Sequence, residues 1–165
     1  MTVENFFLRY AYPCAYILLQ LKEISQEELD ELEDIAVNKK NISRERLEKT
    51  FHSAFQYISE LAKKRKKDKW KPEIIKEYFY SYHNKIIDEK RGIYAKTPVM
   101  LNELSRVEIA KIKDKKDDVL IVEYIDKKNN KLKNRNVHNT FVPTAKVGDT
   151  VTIHYGYAIE IVGTS

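Results

Sequence analysis

Lys146 to Val162 reads KVGDTVTIHYGYAIEIV, and the way apolar and polar residues alternate along it decides the C-terminal fold. Val151, Ile153 and Tyr155 fall on one face of an extended strand, with Thr152 and His154 on the other. Gly148-Asp149 reads as the turn that enters this strand. Gly156 reads as a bulge or a close backbone approach before Tyr157 to Val162 returns. The stretch is a hairpin, and His154 faces away from its apolar stripe.

Upstream the same grammar continues. Val119 to Ile125 (VLIVEYI) is β-branched and aromatic, DKKNN is a polar turn, Leu132 to Val142 is a second extended run, and Val107 to Ile112 starts the series. About five short strands in so few residues predict a small barrel. All four glycines lie after residue 90, so the preceding stretch favours helices joined by polar turns. Four are predicted. Thr2 to Leu21 is apolar at helical spacing, with Pro13 expected to kink it. Ser25 and Glu28 form a capping-box pattern ahead of Leu29, Leu32 and Ile35. Ile42 to Lys66 carries Leu47, Phe51, Ala54, Phe55, Ile58 and Leu61 on one stripe, and Pro72 opens a helix with Ile74, Ile75, Tyr78, Phe79, Tyr82 and Ile86. The fold class is α+β: a four-helix domain over residues 1–92, then a five-stranded, OB-like barrel over 93–165.

The hairpin's wording resembles the end of the HypC/HupF family, small β-barrel chaperones of nickel-iron hydrogenase maturation. The matching positions are Gly148, Asp149, Ile153, His154, Gly156, Tyr157, Ala158 and Ile159. Arg135 to Val142 and Val107 to Ile109 are similar to the family's earlier strands. The resemblance implies a HypC-like barrel in a cytosolic accessory protein that binds a metalloenzyme precursor or maturation factor, with His154 at the family's histidine. Met100 stands where the family has its cysteine, so the resemblance carries over the barrel and the binding surface rather than iron delivery.

The rest of the chain narrows the possibilities. With 42% hydrophobic residues in 165, the chain can bury a real core, and no run approaches the roughly 18 apolar residues of a membrane span. The start, MTVENFFLRY, lacks a basic leader, so a cytoplasmic location without membrane attachment is expected. One cysteine, Cys14, excludes an internal disulfide and cysteine-rich zinc sites, and its place after Pro13 in an apolar helix suits a buried thiol. His52, His83 and His138 have no metal-ligand spacing. There is no phosphate loop or nucleophile elbow, so neither a metal nor another cofactor nor an enzymatic activity is expected.

The pI of about 9.1 directs attention to Lys63, Lys64, Arg65, Lys66 and Lys67, followed by Trp70. Such a run could follow phosphates while Trp70 stacks on a base. A solvated helix end and connector, where lysines complement the helix C-terminus, is the simpler explanation. The sequence therefore points to a non-enzymatic binding or adaptor protein that docks a protein partner near His154, Gly156 and Tyr157. Nucleic-acid binding through Lys63 to Lys71 and the OB-like barrel is the alternative.

Overall fold

The computed structural model describes residues Met1–Ser165, in two compact units, Met1–Thr97 and Pro98–Ser165. The first is helical: α1 (Val3–Gln20), α2 (Gln26–Asn38), α3 (Arg44–Thr50), α4 (His52–Arg65), α5 (Pro72–Glu77) and α6 (His83–Asp88). Thr2 caps α1 by accepting from the Asn5 amide, and the helix continues through Pro13. The Ser25–Glu28 box forms in full and opens α2. Two stretches differ from the sequence expectation. Residues 42–66 are two helices rather than one, because Phe51 leaves the helical region (φ −106°, ψ 45°) while its ring stays in the core. Beyond Pro72, a π-helical turn at Tyr78–Tyr82 joins α5 to α6, shifting the register by which Tyr78, Phe79 and Tyr82 all stay buried.

Aromatic rings dominate this core. Phe7 touches Phe51, Phe55, Trp70 and Phe79 at centroid distances of 4.7 to 5.9 Å, and Tyr10 stacks on Phe79 at 5.0 Å. Each such pair adds about 0.5–1.5 kcal/mol beyond its buried area.

The second unit begins with a short helix, α7 (Val99–Ser105), followed by β1 (Glu108–Lys116), β2 (Val119–Asp126), β3 (Lys131–His138), β4 (Thr150–His154) and β5 (Tyr157–Gly163). The strands close into a barrel in the order β1-β2-β3-β5-β4. All neighbours are antiparallel except β3 and β5, which meet in parallel at His138 and Tyr157. Alternation fills the barrel with Ala110, Ile112, Leu120, Val122, Val137, Val151, Ile153 and Ala158.

β3 stops at His138, short of the extended run expected to reach Val142. The Asn139 amide donates instead to the Asp118 carbonyl, and the loop that follows turns Val142 and Ala145 into the barrel. Asp149 ends this loop by accepting from the backbone amides of Lys146 and Ser165, which hold its carboxyl below the usual range. Gly148 (φ +95°) is needed there, since a Cβ would lie 2.7 Å from Cβ of Ser165.

Candidate functional site

The hairpin that opened the sequence reading is β4, a two-residue turn and β5, paired at His154 and Tyr157. Val151 and Ile153 enter the barrel core, which leaves Thr152 and His154 on the opposite face, as their alternation requires. His154 is nonetheless fully buried, 5.0 Å from the ring of Tyr155. This corrects the expected contact surface: an imidazole with no solvent exposure cannot be displayed to a partner.

The turn departs from the glycine reading as well. Tyr155, not Gly156, takes the left-handed conformation, at φ +50°. Gly156 has no neighbour within 4 Å of where a Cβ would project, so no close approach within the chain requires a glycine there. The bulge expected at Gly156 lies further along β5, where the β4–β5 register shifts between Thr152 and Ile153. What the turn presents is half-buried Tyr155, Gly156 and Tyr157. Tyr157 lies between His138 (5.8 Å) and Phe141 (5.6 Å), and His138 is exposed.

Arg135 fixes this turn, and sequence reasoning missed it. Its guanidinium donates to the Tyr155 carbonyl at 3.1 Å and to the Tyr124 hydroxyl at 3.0 Å, and it lies 5.0 Å from the centre of the Tyr124 ring. The Tyr155 amide donates to the Leu104 carbonyl of α7 at 2.9 Å. A neighbouring ion pair, Arg106 with Glu108 at 3.0 Å, is buried.

The basic segment has a different fate. Trp70 is buried against Phe7 and Phe55, and its indole N–H donates to Glu48 at 2.6 Å. It has no face free for a base, which removes the stacking residue from the nucleic-acid reading. Lys64 pairs with Glu60, Arg65 with Glu77, Lys67 with Glu73 and Lys69 with Glu48. Lys63 and Lys66 are exposed without such an ion pair. The run is largely the cationic half of an intramolecular network, with Glu60 held down to about 2 by hydrogen bonds from Arg91 and Tyr82.

Cys14 is half-buried as a residue, but burial pushes its thiol up to about 12. Its sulfur lies within 4.8 Å of a ring nitrogen of His83. His83 is buried, 3.3 Å from the Tyr94 hydroxyl. His52 faces Glu23 at 3.4 Å, and His138 faces Asp118 at 3.9 Å. Met100, which the resemblance sets against a cysteine, is exposed on α7. No helix is long and apolar enough to cross a membrane. No family model, curated protein or solved structure matches the chain.

Proposed function

We propose that the chain is a non-enzymatic cytoplasmic adaptor whose HypC-like barrel docks a protein partner at the β4–β5 turn, as an accessory factor in metalloenzyme maturation. One observation carries this reading. Gly156 is a glycine that the fold itself does not demand: its φ is not left-handed and nothing in the chain would meet a Cβ there. Its bare backbone beside Tyr157 suits close approach from outside the molecule. A half-buried tyrosine held against two other rings offers contact area at little entropic cost. His154 then has a supporting role, buried behind the turn rather than in the contact itself.

The test places a photo-reactive phenylalanine analogue at position 157 of the full chain in its native cells. A single crosslinked protein, identified by mass spectrometry as a metalloenzyme precursor or maturation factor and lost in Gly156→Trp, is the expected result. Crosslinking no stronger than from the exposed control position Lys116 would sink the proposal. Equal melting temperatures for the Gly156→Trp variant and the parent protein separate lost docking from lost folding.

A further inference from the structure

The β2–β3 hairpin carries an arrangement that the turn at Gly156 does not use. Ile125 and Leu132 are cross-strand partners on the outer face of the barrel. They are 54% and 64% exposed, at positions where an outward strand residue is ordinarily polar. The turn that joins the two strands carries Lys127 and Lys128, both exposed and neither with a carboxylate in ion-pair reach, while Lys131 lies in the opposite register, across from Asp126. The nearest acid in sequence, Asp126, is taken by Lys133 at 2.7 Å, and Lys133 also reaches Glu103 of α7 at 3.3 Å.

The hairpin tip is built rather than loose. The Asp126 side chain accepts from the Lys128 amide at 2.9 Å, its carbonyl accepts from the Asn130 amide at 2.7 Å, and Asn129 accepts from the Lys131 amide at 3.2 Å. Asn130 supplies the left-handed residue at φ +56°. Two cations are thereby presented on a hydrogen-bonded turn at the end of the strand pair that carries the two aliphatic side chains.

We propose that this hairpin face docks an acidic segment of another protein, with Ile125 and Leu132 as its apolar anchor and Lys127 and Lys128 as its charged rim. Charge complementarity selects the occupant: uncompensated lysines beside an exposed apolar pair match aliphatic side chains flanked by Asp or Glu. A single-stranded nucleic acid is the poorer match. Base binding relies on series of aromatic platforms, and the outward residues of β2 and β3 are Val119, Ile121, Glu123, Ile125, Leu132, Asn134, Asn136 and His138, of which the one ring, His138, lies at the far end of the strand pair against Tyr157, while Tyr124 packs against the barrel core. This surface is separate in sequence from the Gly156 turn, so either can fail without the other.

Fluorescence anisotropy of the full chain with a short labelled peptide of Glu and Leu tests the idea, with the Ser-for-Leu peptide and an oligothymidylate as competing probes. The Glu and Leu peptide should bind. Reversing Lys127 and Lys128 to Glu together should weaken it roughly tenfold or more, and Ile125→Ser with Leu132→Ser should weaken it comparably at unchanged melting temperature. Four results would overturn the proposal: no peptide binding, binding that neither variant alters, binding that only the lysine reversal alters, or oligothymidylate bound more tightly than the peptide.

Discussion

Replacing Arg135 with Met removes the guanidinium that ties the β4–β5 turn to β2 while keeping most of the side chain's apolar stem. Two of its hydrogen bonds have good geometry, to the Tyr155 carbonyl at 3.1 Å and the Tyr124 hydroxyl at 3.0 Å; a third contact, to the Leu104 carbonyl at 3.5 Å, is too long to count. Bonds from a charged donor contribute about 1.5–3 kcal/mol each, and because Arg135 is half-buried, water can replace part of that. A net loss of about 2 kcal/mol is the resulting magnitude, equivalent to roughly a 30-fold rise in the equilibrium for opening the turn. Hydrogen exchange reads this directly at two amides, Tyr155, which donates to Leu104, and His138, which donates to the Gly156 carbonyl. Both should exchange roughly 30-fold faster in Arg135→Met. Arg135→Lys, a single point donor in place of a fork, should fall between the two. Protection unchanged within about threefold in the Met variant would refute the argument that Arg135 holds the turn.

Three further outcomes are expected. Gly148→Ala should lose about 1–2 kcal/mol in a thermal melt because of its left-handed φ, whereas Gly156→Ala should melt with the parent protein; equal losses would contradict the distinction between the two glycines. Glu60 has a folded value near 2 against an ordinary 4.5, so its stabilisation is complete above 4.5 and lost as pH falls through about 2. Urea unfolding followed by Trp70 fluorescence should therefore weaken across that acid window, and Glu60→Gln should flatten this part of the profile. Cys14, with its thiol near 12, should hold roughly one part in ten thousand as thiolate at pH 8 and react slowly with a thiol reagent until urea unfolds the chain; rapid labelling of the folded protein would count against its burial.

Periodicity made most of the architecture legible. The stripes of α2 and α5, the Ser25–Glu28 box and the alternation of β2 and β4 each follow from one local rule, and the structure obeys it, whereas α1 is buried on several sides from Phe6 to Tyr12 and leaves Leu21 exposed. The break at Phe51 was hidden because neither Gly nor Pro marks it and the residue that leaves the helix still packs its ring. β3 was opaque for a different reason. In KLKNRN the exposed Leu132 points outward while Lys133 and Arg135 share the inward register of Val137, the reverse of the usual pattern, so polarity alone misassigns the faces. Trp70 looked like a surface residue because lysines flank it. Its backbone amide donates to the Asp68 carboxylate at 2.8 Å and its indole N–H to Glu48, and neither bond can be read from composition. Alternation placed His154 on the correct side of its strand but carries no information about burial there.

The closure between β3 and β5 has a mechanical consequence. Every other pair of neighbouring strands shares a ladder of partners, whereas these two share only His138 and Tyr157. Unzipping the barrel at that seam breaks one bridge and leaves a five-stranded open sheet with β3 and β5 as its two free edges. Those edges are complementary by construction, since they pair with each other in the closed form. Between two opened copies the same bridge can form in trans, so the seam that completes the monomer is also the cheapest place for a strand-exchanged assembly to begin.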